Sequence, residues 1–211
     1  MRTYIIAEIG INHNGSMETA KKLIDMAALS GCDAVKFQKR NPDVCVPAHQ
    51  KGKMRDTPWG TMTYIEYKYR MEFQKPEYDE IDKYCKEKGI AWSASPWDLD
   101  SLAFLLQYDI PWIKIPSAMI TNEALMKASA ATGKKVIFST GMSTYEEIDQ
   151  AVEWLNGAET LMLHCNSTYP APLEDLNLKC IQTLKERYNC DVGYSGHEFR
   201  LGTSVAAVYL G

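Results

Sequence analysis

Short runs of β-branched and aromatic residues alternate with longer segments of helical period along the chain, and this alternation constrains the fold more than any other feature. Helix signals flank many of the longer segments: Ser16 and Gly31 bracket the first, Pro76 and Gly89 a later one. Others are predicted to begin at Thr121 or Asn122, and at a Ser143–Glu146 capping box. Seven strands, each followed by a helix, are predicted in the segments TYIIAEIG, DAVKFQ, IAWSAS, WIKIPS, KVIFST, TLMLHC and CDVGYSG.

Strand segments with little polar alternation are typical of a parallel sheet covered by helices, either doubly wound or closed as a (β/α)8 TIM barrel. No GxGxxG turn follows the first strand, which disfavours the dinucleotide-binding form of a doubly wound sheet. An open sheet of seven strands would leave two bare edges. We therefore expect an α/β TIM barrel in one domain, residues 1–211, which stops at Gly211 before its eighth strand and is thus truncated.

Composition excludes several classes of partner. The formal net charge of −4 gives no basic surface for nucleic acid or an anionic membrane. No apolar run approaches the ~18 residues that a membrane span needs, and the six cysteines show no CxxC spacing. A cytoplasmic protein with reduced, structural cysteines is expected.

One connection is too long for a plain loop. Residues 39–73 lie between the second strand and the next helix, whereas simple connections rarely exceed ~12 to 15 residues. The segment contains Trp59 between Pro58 and Gly60, and several tyrosines. We predict a lid over the active face.

Polar side chains collect where the predicted strands end, which is the active face of a parallel barrel. Lysines inside apolar strands are costly to bury without an anionic partner, so they predict a phosphate or carboxylate ligand, to which serine hydroxyls add neutral donors. Asn12 and His13 follow the first strand, in the loop after Glu8. The candidate site residues at the strand ends are Glu8, Lys36, Gln38, Ser95, Lys114, Ser117, Ser167, Tyr169, Ser195 and His197.

Structural interpretations compete with these functional ones. Either lysine alone is equally well explained by an ion pair with a strand-end carboxylate. His164 lies within an apolar strand and is interpreted as a core histidine, whereas His197 follows a glycine at a strand end and is interpreted as functional. Nucleophilic chemistry at Cys165 is disfavoured, because the sequence offers it no evident histidine partner.

The chain resembles the sialic acid synthases and their relatives that make legionaminic and pseudaminic acids. The resemblance covers essentially the whole chain and is highly specific in combination. It is carried, in family order and spacing, by AEIGINHNGS, AVKFQK, SASPWD, IKIPS, STGMS, LHCNSTYPAP and GYSGHE.

The resemblance implies condensation of phosphoenolpyruvate with an N-acetylated amino sugar in its open aldehyde form, with release of phosphate. It implies a divalent metal, Mn²⁺ or else Mg²⁺ or Co²⁺, as a Lewis acid on the aldehyde oxygen, with His197 as one of two metal-binding histidines. Glu8 would orient or deprotonate the attacking water, and Gln38 and Tyr169 resemble sugar contacts. The residues that resemble the phosphoenolpyruvate cradle are Lys36, Ser95, Lys114, Ser117 and Ser195.

Three departures from the family pattern matter. The second metal histidine and a C-terminal antifreeze-like domain, which reaches into the neighbouring subunit of a homodimer, would follow Gly211, so this chain alone is expected to be inactive. Met119 stands where many relatives carry an acidic sugar-binding residue. Ser167 stands where some carry asparagine, so the acceptor sugar is left open.

Two other functions stay open on the residues alone. Lys36 or Lys114, desolvated in a barrel, could form an imine with a ketone, as in a Schiff-base aldolase. The chain could also be a non-catalytic module that only binds a sugar or phosphate. A covalent adduct trapped with borohydride would identify the aldolase. Binding of a ligand without turnover would identify the binding module.

Overall fold

The structure, a computed structural model, describes residues 2–211 and divides into two compact units. The first ends at Pro111 and the second comprises Trp112–Gly211. Both contain a parallel sheet whose strands are connected by helices. The predicted α/β class is therefore confirmed.

The first unit contains a parallel sheet and a small antiparallel hairpin. Over residues 2–111 its strands are β1 (Ile6–Gly10), β2 (Ala34–Lys39), β3 (Met54–Thr57), β4 (Gly60–Thr63) and β5 (Ala91–Pro96). Its helices are α1 (Met17–Leu29), α2 (Pro42–Cys45), α3 (Ala48–Lys51), α4 (Tyr64–Met71), α5 (Lys75–Lys88) and α6 (Leu99–Leu105). The parallel sheet has the order β1-β2-β5, and β3 pairs with β4.

The register of the first sheet brings the predicted polar residues to one face. Lys36 lies opposite Glu8 on β1 and Ser93 on β5, and Gln38 lies opposite Ser95. Side chains two residues apart on a strand share a face, so all of these point the same way. The alternate residues of β2, such as Phe37, pack instead against the buried helix residue Tyr78.

Helix ends in the first unit follow the signals in the sequence. The Ser16 hydroxyl accepts a hydrogen bond from the Thr19 N–H at 3.2 Å and caps α1. Helix α5 begins with Pro76 in its first turn and ends at Gly89, which adopts the left-handed conformation at φ 66°. Each predicted boundary rests on a single residue whose backbone preference is strong.

The insertion after β2 is built from ordered elements. It contains α2, α3, the β3–β4 hairpin and α4, the last capped by a reciprocal Thr63–Glu66 box. Its ends meet in a buried ion pair, Lys39 Nζ to Glu72 Oε1 at 3.1 Å. The hairpin was not predicted, because its strands are short and mostly exposed and so lack an apolar alternation. The lid role stays a prediction.

The second unit contains one four-stranded parallel sheet in the order β6-β7-β8-β9, with bounds β6 (Trp112–Ile115), β7 (Lys135–Ser139), β8 (Thr160–Cys165) and β9 (Val192–Ser195). Its helices are α7 (Glu123–Ala130), α8 (Tyr145–Trp154), α9 (Cys180–Tyr188) and α10 (Leu201–Leu210). All seven predicted strands are present in the two parallel sheets.

One predicted helix cap is wrong by one position. Helix α8 is capped by Thr144, whose hydroxyl accepts from the Glu147 N–H while Glu147 accepts from the Thr144 N–H. The expected box, Ser143 with Glu146, has the same spacing and chemistry. Two overlapping Ser/Thr-x-x-Glu matches are indistinguishable in sequence, and the backbone geometry decides between them.

All six cysteines are free thiols, so the structure contains no disulfide. Among the helices of residues 2–211, none combines the length and apolar character that crossing a membrane requires.

Candidate functional site

The candidate residues of the first unit meet at the carboxyl end of β1, β2 and β5. The buried Lys36 ammonium donates to Glu8 Oε2 at 2.6 Å and to Ser95 Oγ at 2.9 Å. It also points at the Phe37 carbonyl at 3.4 Å. The structure therefore brings Glu8, Lys36 and Ser95 into direct contact. The contact between Lys36 and Glu8 is also the ion pair with a strand-end carboxylate that was given above as the structural explanation for a buried lysine.

The Glu8 carboxylate is the accessible member of that pair. Its side chain is 46% exposed, whereas the Lys36 side chain is 9% exposed. A register shift in the β1–β2 pairing lies between Glu8 and Gly10, which has φ +55°. Such irregularities often re-aim a side chain at a strand end. Glu8 therefore combines a buried cationic partner with access to solvent.

Gln38 lies beside this pair, and a neighbour fixes its amide. The Arg40 guanidinium donates to Gln38 Oε1. On the other side, a Cβ added at Gly10 would lie 3.4 Å from Gln38 Nε2 and 3.0 Å from Glu8 Oε1. The Gln38 amide nitrogen and the Glu8 carboxylate thus both border Gly10. The sequence analysis selected Gln38 as a candidate residue but did not select Arg40. The side chains that Arg40 contacts lie in segments far apart in the chain.

The loop after β1 packs against the end of the insertion. His13 is buried, its ring stacks on Phe73 with centroids 3.9 Å apart, and its Nδ1 accepts from the Gly15 N–H at 3.1 Å. Gly15 has φ +69°, and a Cβ there would collide with the Arg70 carbonyl oxygen. Burial lowers the pKa of His13 to about 4, because desolvation disfavours the imidazolium. This loop fixes the insertion through a neutral histidine.

We expect His13→Gln to flatten the dependence of stability on pH in the acid range. In the wild type the unfolded histidine binds its proton near pH 6.5 and the folded one only near pH 4, so stability falls as pH drops between them. Between pH 7 and pH 5 this contributes about 2 kcal/mol. Urea unfolding at both pH values measures the effect. The exposed His49→Gln variant is the control, and an unchanged slope in His13→Gln would contradict the prediction.

In the second unit Lys114 and Ser139 form the corresponding pair. The buried Lys114 ammonium donates to Ser139 Oγ at 2.6 Å and to the Ile115 carbonyl at 2.9 Å. The register of β6 on β7 places Lys114 opposite Ile137, so Lys114 and Ser139 share a face. The contact between Ser139 and Lys114 could not be predicted from the sequence, because it depends on the register of β6 on β7.

Gly141 provides a crowded, polar surface after β7. Its N–H donates to Ser117 Oγ at 3.0 Å. A Cβ added there would collide with Ser167 Oγ and would lie 2.9 Å from Ser117 Oγ and 3.0 Å from the Cys165 carbonyl. The Ser167 hydroxyl is buried without a hydrogen-bond partner among the described residues. Ser117 and Ser167, both predicted site residues, are thus neighbours across a glycine that the sequence analysis missed.

We expect Gly141→Ala to displace both serines and to destabilise the chain by about 1–3 kcal/mol, the usual cost of overpacking. The added methyl group meets the Cys165 backbone, which cannot rotate away as a side chain can. Urea unfolding measures the loss. Gly52→Ala is the matched control, because no atom of residues 2–211 lies within 4 Å of its Cβ position. Equal stability of the two variants would refute the crowding at Gly141.

His197 lies at the carboxyl end of β9, between Cys165 and Tyr169. Its ring stacks on Tyr169 with centroids 3.9 Å apart, and its two ring nitrogens lie 3.8 and 3.9 Å from Cys165 Sγ. The expectation that Cys165 has no histidine partner is therefore wrong. Burial nevertheless raises the pKa of the Cys165 thiol, which opposes the thiolate that a nucleophile needs. Ser195 pairs in register with Cys165, so its backbone adjoins this group.

His164 points to the other face of β8. Its Nε2 lies 2.7 Å from the Leu176 carbonyl oxygen, and the residue is buried. Its interpretation as a satisfied core histidine is confirmed. Over residues 2–211, no group of three or more histidine, cysteine, aspartate or glutamate side chains is arranged to hold a metal ion.

A family model described as the NeuB family matches residues 23–211. The chain is 39% identical to the N,N'-diacetyllegionaminic acid synthase of Campylobacter jejuni, covering 100% of this chain and 65% of that protein. It is 40% identical to the N-acetylneuraminate-9-phosphate synthase of Drosophila melanogaster, covering 99% of this chain and 57% of that one. The chain thus spans about three fifths of these relatives' length.

Solved structures give the same relationship. The N-acetylneuraminic acid synthetase of Leptospira borgpetersenii superposes with a TM-score of 0.91 at 32% identity, covering 100% of this chain and 70% of that one. A truncated 3-deoxy-D-arabino-heptulosonate 7-phosphate synthase of Thermotoga maritima superposes with a TM-score of 0.71 at 12% identity, over 99% of this chain and 71% of that one. The second likeness concerns the fold alone.

Proposed function

The chain belongs to the NeuB family, and from this premise we propose that it condenses phosphoenolpyruvate with an N-acetylated amino sugar in its open aldehyde form. The product would be a sialic-type nonulosonic acid, with phosphate released. Relatives named as legionaminic acid and N-acetylneuraminate-9-phosphate synthases support this class of product.

One observation carries the proposal. In the second unit a buried ammonium, Lys114, lies at the end of a parallel strand and is hydrogen-bonded to a serine hydroxyl. Hydroxyls of Ser117 and Ser167 crowd around Gly141 in the same unit. A cation with neighbouring hydroxyl donors at strand ends is suited to a small molecule bearing phosphate and carboxylate groups. The first unit repeats the lysine–serine pair with Lys36 and Ser95.

The proposed reaction assigns roles to residues of both units. Lys36, Ser95, Lys114, Ser117 and Ser195 hold phosphoenolpyruvate, while Gln38, Ser167 and Tyr169 contact substrate. C3 of phosphoenolpyruvate attacks the aldehyde carbon and forms the new C–C bond, and the aldehyde oxygen gains a proton. Water then adds at C2, and the C2–O bond to phosphate breaks. Glu8, accessible and beside the Lys36 ammonium, takes the proton of that water.

The divalent metal, Mn²⁺ or else Mg²⁺ or Co²⁺, remains a prediction. The residues present do not make a metal site by themselves, because no group of three or more histidine, cysteine, aspartate or glutamate side chains in the described chain, His197 included, is arranged to hold a metal ion. His164 is occupied by the Leu176 carbonyl. Any metal held by His197 needs further ligands, so no step of the reaction is derived through it.

Other features complete the proposal. Likeness to the T. maritima synthase, at a TM-score of 0.71, supports a TIM-barrel arrangement of the strands. A lid role for residues 39–73, a cytoplasmic location and a homodimer belong to the same proposal. The proposal does not specify whether the acceptor sugar carries a phosphate group. Some relatives are named for a 9-phosphate product and others for an unphosphorylated one.

The proposal is tested by phosphate release from the protein expressed from its complete gene, with phosphoenolpyruvate, Mn²⁺ and a panel of acetamido sugars. Release that requires one of the sugars is expected, and no release with any sugar would refute the synthase. Borohydride with pyruvate separates it from a Schiff-base aldolase. The ammonium groups of both candidate lysines, Lys36 and Lys114, already donate to neighbouring oxygens, and we expect no trapped adduct on either.

A further inference from the structure

The Arg40 side chain, just after β2, is held in place by neighbours from other parts of the first unit. Its guanidinium lies over the Trp97 ring, with Cζ 4.0 Å from the ring centroid. Its backbone N–H donates to Glu72 Oε1 at 2.9 Å. The Trp97 backbone N–H in turn donates to the Lys39 carbonyl at 3.1 Å, which ties the chain after β5 to the end of β2. Arg40 is therefore fixed at its backbone and at its guanidinium.

Glu72 also compensates the charge of Arg40. Burial lowers the pKa of the Arg40 guanidinium, and the negative charge of Glu72 opposes that shift. The same carboxylate accepts from Lys39 Nζ at 3.1 Å. Because Arg40 is a cation with a carboxylate nearby, its role is indicated by the side chain to which it donates.

Arg40 determines which end of the Gln38 amide faces it. Its Nη2 donates to Gln38 Oε1. A guanidinium has only N–H donors and no acceptor, whereas a glutamine amide has an oxygen that accepts and a nitrogen that donates. If the amide were reversed, donors would face each other and this hydrogen bond would be lost. Arg40 therefore fixes Gln38 with Oε1 towards the guanidinium and with Nε2 away from it.

The fixed Nε2 atom lies among the candidate site residues. A Cβ added at Gly10 would lie 3.4 Å from Gln38 Nε2 and 3.0 Å from Glu8 Oε1, so both atoms border the same point. Gln38 and Lys36 share a face of β2, and Gln38 is half-buried. The strand ends thus present an amide N–H donor beside the Glu8 carboxylate.

We propose that Arg40 is a positioning residue that fixes the polarity of the Gln38 amide, so that Nε2 donates to a carbonyl oxygen of the acceptor sugar. This inference rests on the proposed function, in which Gln38 contacts the sugar. A carbonyl oxygen accepts hydrogen bonds and cannot donate them, whereas a hydroxyl group would suit either orientation of the amide. An amide with one fixed orientation therefore selects a carbonyl group over a hydroxyl group at this point.

NMR of the Gln38 side-chain amide tests the positioning role without a ligand, in the protein expressed from its complete gene. The signals of this amide are assigned by their loss in Gln38→Glu. Arg40→Met should increase the picosecond-to-nanosecond motion of the amide, because the bond that orients it is gone. Arg40→Lys can still donate and should restore part of the restriction. Unchanged amide motion in Arg40→Met and Arg40→Lys would overturn the positioning role.

The matched control is Arg187→Met. The Arg187 guanidinium also lies over an aromatic ring, that of Tyr145 at 4.7 Å, but it belongs to the second unit. This variant should leave the Gln38 amide signals unchanged. A change as large as that in Arg40→Met would assign the effect to a general loosening of the fold and overturn the proposal.

Steady-state phosphate release tests the donor role, with the acetamido sugar that supports turnover. Arg40→Met and Gln38→Leu should each raise the KM for the sugar by about tenfold, the scale of one lost hydrogen bond, with little change in kcat or in the KM for phosphoenolpyruvate. Because Arg40 acts through Gln38, the double variant should be no worse than Gln38→Leu alone. Additive effects of the two substitutions would refute that coupling.

Gln38→Glu tests the polarity itself. The carboxylate keeps an oxygen for Arg40 but replaces the Nε2 donor with an acceptor, so the KM for the sugar should rise at least as much as in Gln38→Leu. An unchanged sugar KM in Gln38→Glu would overturn the donor role. Failure of the proposed function has a different signature: the wild type would release no phosphate with any sugar, while the motion of the Gln38 amide would still depend on Arg40.

Discussion

Lys114→Met is expected to lower the affinity for phosphoenolpyruvate by about 100-fold, because it removes the buried ammonium proposed to hold the anion. A charge-assisted hydrogen bond contributes roughly 1.5–3 kcal/mol, and each 1.4 kcal/mol is a factor of ten in affinity. The ammonium is held by Ser139 Oγ at 2.6 Å and the Ile115 carbonyl at 2.9 Å. Those contacts fix the position of the ammonium before any ligand binds. The entropy cost of ordering the lysine side chain on binding is therefore small.

Isothermal calorimetry with phosphoenolpyruvate measures this effect, and thermal unfolding accompanies it. Methionine has nearly the length of lysine and tolerates irregular apolar sites, so the fold should be retained. The control is Lys127→Met, which removes an exposed lysine paired with Glu123 on α7. Undiminished phosphoenolpyruvate affinity in a folded Lys114→Met variant would show that Lys114 has a structural role, and the anion cradle would be wrong.

Regular structure was predictable wherever one residue controls the local backbone. Ser16, Pro76 and Gly89 mark their helix ends in the sequence as they do in the structure. The capping box at α8 failed by one residue, because two Ser/Thr-x-x-Glu matches overlap there and only the backbone chooses. The hairpin of the insertion failed for a different reason, since its exposed strands have no buried face to impose a period of two.

The site was predictable as a set of residue types but not as contacts. Lysines within apolar strands stand out in sequence because burial of a charge is costly. Their partners do not: Ser139 lies 25 residues from Lys114, and Trp97 lies 57 residues from Arg40. Gly141 carries no chemical signal, and its importance comes from the two serines that approach it. These contacts therefore follow from strand register and loop packing, and residue identity alone does not predict them.

The contact between Cys165 and His197 illustrates the same limit. The two residues are 32 apart in sequence and meet because β8 and β9 are neighbours in the parallel sheet. The expected barrel places consecutive strands side by side, but it does not say which strand-end side chains meet. The contact between Cys165 and His197 also depends on the loop that follows β9.

Glu8→Gln is expected to reduce the turnover rate by roughly 10²- to 10⁴-fold, the usual contribution of a general acid or base. The substitution preserves size and an oxygen that can accept from Lys36, but it removes the negative charge. Because Glu8 Oε2 lies 2.6 Å from Lys36 Nζ, the carboxylate also competes with an anionic ligand for that cation. Phosphoenolpyruvate should therefore bind Glu8→Gln at least as tightly as the wild type.

The measurement is steady-state phosphate release by the protein expressed from its complete gene, at saturating Mn²⁺, together with calorimetry of phosphoenolpyruvate. Glu18→Gln, which removes an exposed carboxylate paired with Lys22 on α1, is the control. A fall in kcat with unchanged or tighter phosphoenolpyruvate binding separates a role in proton transfer from a role in holding substrate. If Glu8→Gln kept its turnover rate, or lost phosphoenolpyruvate affinity instead, the Glu8–Lys36 pair would be structural. The water-activating group would then have to lie elsewhere.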